Sequence, residues 1–224
     1  MASSIITPPI VTNGLICYLD SGNLISYPQS GTVWTDLSGN GNNATFSGYS
    51  FTTSNIGVLT TSTLGQIVTT YSTASGANNT TMIMWYKWDG INQASPGMLI
   101  GDVGTKGYGF LINSGGNNGT AGNKVSVFYP GSVYNVLSSY GTLVTNKWTQ
   151  LSITRNTTTT TLYQDGVFIG STNSTPGNNT LPLLLYINYD LNGSFGVSKF
   201  YNRALSQQEI LQNYNAIKGR FGLQ

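Results

Sequence analysis

Seven carboxylates are the side chains best suited to acid–base chemistry in this sequence, because it contains no histidine. Without histidine, Ser-His-Asp and Cys-His mechanisms are unavailable, and so are histidine-ligated metal sites. Glycoside hydrolysis needs two carboxyl groups facing each other across one cleft. The acids form no close acidic motif; they are Asp20, Asp36, Asp89, Asp102, Asp165, Asp190 and Glu209. We therefore predict a protein that is not an enzyme.

An oxygen-rich loop at residues 36–43, DLSGNGNN, is the best candidate for a cation site. Carboxylate, amide and backbone carbonyl oxygens are the ligands that Ca²⁺ takes in proteins. Asp36, Asn40 and Asn42 are thus candidate Ca²⁺ ligands. The alternative is a loop of Asx turns that satisfies its own backbone groups. The sequence favours this alternative because the loop has a single acid, so we expect that no cofactor is required.

Aromatic side chains and amides in predicted loops are candidates for sugar contacts. An aromatic ring offers a flat apolar surface, and neighbouring amides supply hydrogen bonds. For each aromatic residue the alternative is ordinary packing in the core or at its rim, which is the more common role. The candidate glycan-binding residues are Tyr27, Trp34, Tyr49, Tyr134, Asn135, Tyr140, Asn188 and Tyr189.

Charge is scarce: Asp, Glu, Lys and Arg make up 7% of the 224 residues, against about 25% in an average soluble domain. The polar surface must come from Ser, Thr, Asn and Gly, while 39% hydrophobic residues supply a core. The nine basic residues form no cluster, which argues against nucleic-acid binding. No apolar run approaches the 18 residues of a membrane span. Such a neutral surface is typical of extracellular or virion proteins and suits glycan contact.

Residues 1–12 are predicted to form an extended arm, because Pro8 and Pro9 exclude a helix. The segment lacks the basic and apolar regions of a secretory signal. Two interpretations remain open: a strand end that enters the domain, or an arm that contacts a neighbouring subunit. The candidate subunit contacts are Ile5, Ile6, Pro8, Pro9 and Phe221. The single cysteine, Cys17, lies in an apolar run and is predicted to be a buried structural thiol.

Residues 13–224 show the pattern of one all-β sandwich domain, in which short apolar runs alternate with Gly, Asn, Ser and Thr turns. In Thr81–Trp88 both faces are apolar, which predicts a central strand covered on both sides. The predicted strands are Leu15–Leu19, Thr81–Trp88, Gly107–Ile112, Lys124–Tyr129, Trp148–Arg155, Thr161–Gln164, Val167–Gly170, Leu183–Ile187 and Gly196–Tyr201.

Two local motifs complete the sequence-based prediction. Asp165-Gly166 stands between two apolar runs, as in a tight type I′ hairpin turn. Near the C-terminus, Ser206 and Glu209 have the spacing of a capping box at the start of a helix, which we expect to end at Gly219.

Four segments, in order, resemble the laminin-G-like branch of the concanavalin A-like lectin/glucanase superfamily. They are NGLICYLDSGN…WTDLSGNGNNATF (13–46), TTMIMWYKWDG (80–90), NKWTQLSITRNTTTTTLYQDGVFIGS (146–171) and GSFGVSKFYNRALSQQEILQNYNAIKGRFG (193–222). The resemblance implies a jelly-roll sandwich of two antiparallel sheets with one short C-terminal helix. Hydrolase members carry a Glu-x-Asp-x-x-Glu-type strand, which this sequence lacks. The motifs DSGN, WTDLSGNGNN, YNRALS and KGRFG are also similar to those of standalone domains encoded by tailed bacteriophages.

The leading hypothesis is a non-catalytic bacteriophage virion surface protein, either a capsid decoration or a module attached to the tail or baseplate. It would be an oligomer that contacts other virion proteins, and cell lysis would release it without a signal peptide. The alternative is a glycan-binding lectin module for host attachment, with a cell-surface glycan as its partner. A carbohydrate-active enzyme, the third class, would require a carboxylate pair.

Overall fold

The computed structural model describes residues 8–53, 56–61, 66–69, 79–90, 97–100, 109–112, 124–128, 137–173 and 193–224. Within these ranges the chain forms short β-strands and a helix near its C-terminus, α1 (Gln207–Ile217). The strands are β1 (Leu15–Asp20), β2 (Val33–Trp34), β3 (Ala44–Ser47), β4 (Ser50–Thr52), β5 (Val58–Thr61), β6 (Gln66–Thr69), β7 (Thr80–Trp88), β8 (Gly97–Ile100), β9 (Gly109–Ile112), β10 (Lys124–Phe128), β11 (Leu137–Thr142), β12 (Trp148–Arg155), β13 (Thr160–Gln164), β14 (Val167–Thr172) and β15 (Gly193–Tyr201). The predicted strand Leu183–Ile187 lies outside the described residues. No helix in the described ranges is long and apolar enough to cross a membrane.

The strands form an antiparallel sandwich. One layer is an eight-stranded sheet in the order β14-β13-β12-β7-β15-β5-β4, in which β1 also pairs with β15. Two smaller sheets, β11-β10-β9-β8 and β2-β3-β6, contribute to the same core from the other side. The predicted concanavalin A-like β-sandwich is confirmed.

Strand β7 lies at the centre of the large sheet, between β12 and β15. Side chains on a strand alternate between the two faces. Met82 and Met84 therefore enter the main core, which we call the inner face, while Ile83 and Trp85 pack on the outer face. The prediction of a strand covered on both sides is confirmed.

The helix α1 covers part of the outer face and begins as predicted. The Ser206 hydroxyl accepts a hydrogen bond from the backbone N–H of Glu209, and the Glu209 carboxylate accepts one from the backbone N–H of Ser206. Its end differs from the prediction. A 3₁₀ turn, Lys218–Phe221, continues the chain, and Gly222 closes it with a φ of 74°. Gly222 rather than Gly219 therefore supplies the left-handed residue, because the 3₁₀ turn postpones the chain reversal.

The β13–β14 hairpin turns at Asp165 and Gly166, whose φ angles are 52° and 80°. Positive φ at both residues matches the predicted type I′ turn. The Asp165 carboxylate also accepts a hydrogen bond from the Gln150 backbone N–H at 2.9 Å. Asp165 thus joins the turn to β12, as expected for a structural acid.

Candidate functional site

Tyr27 and Trp34 are buried, so their prediction as sugar platforms is wrong. Tyr27 is 3% exposed and Trp34 is 0% exposed in the main core. The Tyr27 ring contacts Phe46 and Phe51 edge-on, at centroid distances of 5.4 and 5.1 Å. A sugar needs an exposed ring face, which neither residue offers because the short strands β2 and β3 place this region inside the sandwich.

The structure leaves most other predicted sugar contacts undescribed. Tyr140 is in β11, but its side chain is outside the described part of the chain. Tyr134, Asn135, Asn188 and Tyr189 lie outside the described residues altogether. These remain predictions.

The loop around Asp36 holds itself together through the Asp36 carboxylate. Its Oδ1 accepts hydrogen bonds from the backbone N–H groups of Tyr18 and Ser38, and its Oδ2 accepts from the Ser38 hydroxyl and the Asn42 N–H, all at 2.7–2.9 Å. A carboxylate has about four acceptor positions. The amides of Asn40 and Asn42 donate to the carbonyls of Leu15 and Ile16. This network favours the self-satisfied Asx loop over a Ca²⁺ site.

The thiol of Cys17 takes part in the same region. Cys17 is 0% exposed and its Sγ donates to the Asn42 carbonyl at 3.3 Å. Burial, reinforced by the nearby Asp36 charge, raises the pKa of this thiol. The predicted role as a buried structural cysteine is confirmed.

The C-terminal residue predicted to contact other subunits lies inside its own domain. Phe221 is 7% exposed and its ring packs on Trp85 and Trp148, at centroid distances of 4.6 and 4.3 Å. The neighbouring Arg220 forms an ion pair with Asp20. The prediction of Phe221 as a subunit contact is therefore wrong, because the outer face of the sheet needs this ring to cover two tryptophans.

The described end of the predicted arm also lies on its own domain. The Pro9 carbonyl accepts a hydrogen bond from the Gln212 side chain on α1 at 2.8 Å, and Val11 is buried beside Tyr201. Pro8 is half-buried and Pro9 is exposed. Ile5 and Ile6 lie outside the described residues. A contact with a neighbouring subunit stays a prediction for the first residues of the arm.

A partly buried aromatic residue lies at the end of the large sheet where β7 stops and β15 begins. Tyr49, in the turn between β3 and β4, is half-buried. Its ring is held edge-on by Phe46 at 6.1 Å and by Phe195 at 5.8 Å. These contacts fix the ring, and part of the residue stays open to solvent. Of the predicted sugar contacts whose side chains the structure describes, Tyr49 is the one that is not buried, and its role as a sugar contact stays a prediction.

Three further residues join Tyr49 at this end of the sheet. Tyr86 is buried; its pKa is raised first by burial, then by the charge of Asp89 and by Tyr49, so all three lie within electrostatic reach. Asp89 directly follows β7 and is half-buried. Gly193 pairs with Trp88, and a side chain there would lie 2.7 Å from the Tyr86 ring. We call these four residues, Tyr49, Tyr86, Asp89 and Gly193, the Tyr49 rim.

The Tyr49 rim combines an aromatic surface with a carboxylate. A carboxylate accepts hydrogen bonds from hydroxyl groups, and an aromatic ring packs against the C–H face of a ring-shaped ligand. Sequence reasoning missed Asp89, although its place after the central strand, in WDG, is a signal for a residue at a sheet end. Among the described residues, no group of three His, Cys, Asp or Glu side chains could hold a metal ion.

A family model for the concanavalin A-like lectin/glucanase superfamily, of the laminin-G type, matches residues 61–211. The chain belongs to this superfamily. The match spans more than half of the sequence and agrees with the sandwich described above. No curated protein sequence is significantly similar to the chain.

Solved structures share the fold at low sequence identity. Trypanosoma rangeli sialidase superposes with a TM-score of 0.70 at 17% identity, over 97% of this chain and 36% of that chain. Domain 4 of AbnA, a GH43 extracellular arabinanase from Geobacillus stearothermophilus solved with arabinotriose, gives 0.67 at 17% identity, over 89% of this chain and 98% of that chain. The binding domain of Paraclostridial Mosquitocidal Protein 1 superposes with a TM-score of 0.60 at 17% identity, over 95% of this chain and 56% of that chain. The chain thus spans about a third of the sialidase.

Proposed function

We propose that this protein is a non-catalytic glycan-binding module that uses the Tyr49 rim. The observation that carries the proposal is the half-buried Tyr49, whose ring is fixed by Phe46 and Phe195, at the same sheet end as the Asp89 carboxylate. A ring that is already fixed loses little conformational freedom on binding, which favours affinity. The sugar ring packs on Tyr49 and its hydroxyls donate to Asp89.

The structural relatives support a glycan as the ligand. The arabinanase domain, solved with arabinotriose, has the same sandwich over nearly its whole length. A fold alone does not determine function, so the proposal rests on the rim and uses this likeness to choose the first ligand to test. Arabinotriose is that ligand.

The absence of catalysis is part of the proposal. Glycosidases with two carboxylates need both of them flanking the scissile bond. Of the five acids in the described part of the chain, Asp20 and Glu209 are ion-paired with arginines, and Asp36 and Asp165 accept backbone hydrogen bonds, which leaves Asp89 as a single acid at the rim. Asp102 and Asp190 lie outside the described residues. Polysaccharide hydrolysis that disappears in Asp102→Asn or Asp190→Asn would overturn the non-catalytic assignment.

The test is a binding measurement with matched aromatic variants. Wild-type protein is titrated with arabinotriose by calorimetry and applied to an array of neutral and acidic glycans. Tyr49→Ala should abolish or strongly weaken the signal, and Asp89→Asn should weaken it. The control is Phe168→Ala, an exposed aromatic residue on β14, at the opposite edge of the large sheet. No saturable binding by the wild-type protein to any glycan would refute the proposal.

A second proposal places the module on the surface of a bacteriophage virion. The supporting observations are the 7% charge content, which leaves a neutral surface rich in hydroxyls and amides, and the resemblance to phage-encoded domains. The partners would be capsid or tail proteins and other copies of the chain. Immunogold labelling and mass spectrometry of purified particles test this; absence of the protein from particles would refute it. Deleting residues 1–7, which precede the contacts made by Pro9 and Val11, should prevent incorporation and leave a folded domain.

A further inference from the structure

A buried polar cluster joins β15, α1 and the N-terminal segment on the outer face of the large sheet. Lys199 on β15 and Asn213 on α1 are both 0% exposed. The Lys199 Nζ lies 3.4 Å from the Asn213 Oδ1. An exchange of amides requires an amine nucleophile next to a carboxamide carbon, and this buried pair places the two groups in contact.

The surroundings of Asn213 polarise its carbonyl group. The backbone N–H of Val11 donates to Oδ1 at 3.3 Å, and the single proton of the Tyr201 hydroxyl can be donated either to the same oxygen, 3.2 Å away, or to the Val11 carbonyl, 2.9 Å away. Donors aimed at a carbonyl oxygen stabilise the negative charge that develops when a nucleophile attacks, as in an oxyanion hole. The Asn213 Nδ2 is buried without a hydrogen-bond partner, so its departure breaks no hydrogen bond.

The surroundings of Lys199 favour the neutral amine. Burial lowers the pKa of Lys199 to about 7, and of the two charges nearby Asp20 raises it and Arg220 lowers it. The Tyr18 ring faces the amine at 5.3 Å, a contact that favours the charged form and, like Asp20, offsets part of the effect of burial. Five groups therefore surround the amine. They are Tyr18 and Asp20 from β1, Tyr201 from β15, Asn213 from α1 and Arg220 from the 3₁₀ turn. An amine with a pKa near neutrality is a much better nucleophile than an exposed lysine.

We propose that Lys199 and Asn213 form an intramolecular isopeptide bond that ties α1 to β15. The Nζ of Lys199 attacks the Cγ of Asn213, a new Nζ–Cγ bond forms, and the Cγ–Nδ2 bond breaks. One proton moves from Nζ to Nδ2, which leaves as ammonia. The reaction is an amide exchange without change of oxidation state, so it needs no oxidant, reductant or further reactant.

The bond would make the helix a permanent part of the outer face. The links between α1 and the sheet that the structure shows are hydrogen bonds and ring packing, which open when a helix frays. A covalent tie closes a short loop between residues 199 and 213, so the helix could no longer separate from β15 even after unfolding begins elsewhere. This device suits a durable domain that contains one cysteine and therefore no intramolecular disulfide.

The experiment is intact-mass spectrometry of the purified full-length protein after incubation above pH 7. The wild-type mass should fall below the sequence mass by one molecule of ammonia. Trypsin should then release a branched peptide in which residues 156–203 are joined to residues 204–218, because a modified Lys199 is no longer a cleavage site. Lys199→Met and Asn213→Ala should each restore the unmodified mass, and Lys218→Met should keep the loss because Lys218 instead lies over the Tyr214 ring.

The wild-type measurement stands whether or not the variants fold. A wild-type mass equal to the sequence mass, with cleavage after Lys199 at the normal rate, would overturn the proposal. In that case the pair is a hydrogen-bonded contact and nothing more.

Discussion

The two faces of the eight-stranded sheet are built on different principles. On the inner face, Met82 and Met84 meet other apolar side chains in one continuous core. On the outer face, α1 and the 3₁₀ turn cover apolar residues together with buried polar ones, including Lys199 and Gln150. Side-chain nitrogens without hydrogen-bond partners occur on both faces, at Trp34 in the inner core and at Trp85 and Gln150 on the outer face, and each such group costs about 1–3 kcal/mol. The inner face has the larger cluster of buried apolar side chains, so we expect it to dominate the stability, while the outer face depends on a few specific contacts.

The largest expected effect is on the inner face. Trp34→Ala should lower the free energy of unfolding by about 4 kcal/mol, because it removes a fully buried aromatic side chain and leaves a cavity. Urea denaturation measures this loss. Val33→Ala is the matched control. Val33 is the neighbouring residue and its side chain is exposed, so this substitution should change the free energy of unfolding by less than about 0.5 kcal/mol. A loss below about 1 kcal/mol for Trp34→Ala would contradict the assignment of the dominant core.

Removing a buried aromatic ring from the outer face should lower the free energy of unfolding somewhat less. Phe221→Ala removes the ring that packs on Trp85 and Trp148, and the expected loss is about 3 kcal/mol. Phe168→Ala, at an exposed phenylalanine, is the control. If Phe221→Ala left the free energy of unfolding in urea unchanged, the 3₁₀ turn would not be covering the two tryptophans in solution.

The contacts at the start of α1 should contribute about 1 kcal/mol to the free energy of unfolding, and this contribution should depend on pH. Arg203 and Ser206 lower the pKa of Glu209 to about 2, below its ordinary value of 4.5. A carboxyl group whose pKa is lower in the folded state stabilises the fold fully above the unfolded value and loses this contribution as the pH falls. Glu209→Gln should thus cost stability at pH 7 and little near pH 2. Arg203→Gln should show the same trend, and a pH-independent effect would contradict the ion pair.

Calcium should have the smallest effect. The Asp36 carboxylate already accepts four hydrogen bonds, so the loop has little capacity left for a cation. Neither millimolar Ca²⁺ nor a chelator should move the thermal midpoint, because a ligand that does not bind the folded state does not stabilise it. A clear rise of the thermal midpoint with Ca²⁺ that is lost in Asp36→Asn would restore the calcium-site hypothesis.

The long and the short strands differ in how well they could be predicted. The long strands β7, β12 and β15 carry dense apolar runs, and all three were recognised. Strand β2 has only two residues, and β3 to β6 have three or four residues each with at least one Ser or Thr, so they are too short to show the apolar alternation that reveals a strand. Missing them had a consequence for the site, because Trp34 in β2 was taken for a loop residue.

Contacts between distant parts of the chain account for the remaining errors. The exposure of Tyr49 and the burial of Tyr27 depend on where β3 and β4 pack, and local sequence does not reveal this. Phe221 seemed free for a partner because its pocket is formed by Trp85 and Trp148, more than 70 residues away. The proximity of Lys199 and Asn213 likewise arises only when α1 folds back on β15.

The central claim is that the Tyr49 rim binds a glycan, and calorimetric titration of the wild type, Tyr49→Ala and Phe168→Ala with arabinotriose and the best array ligand tests it most directly. We predict saturable wild-type binding, unchanged in Phe168→Ala and weakened at least about tenfold in Tyr49→Ala, which corresponds to the ~1.4 kcal/mol expected from one stacked ring. Equal binding by Tyr49→Ala and the wild type would place the site elsewhere, and no wild-type binding to any glycan would contradict the proposed function.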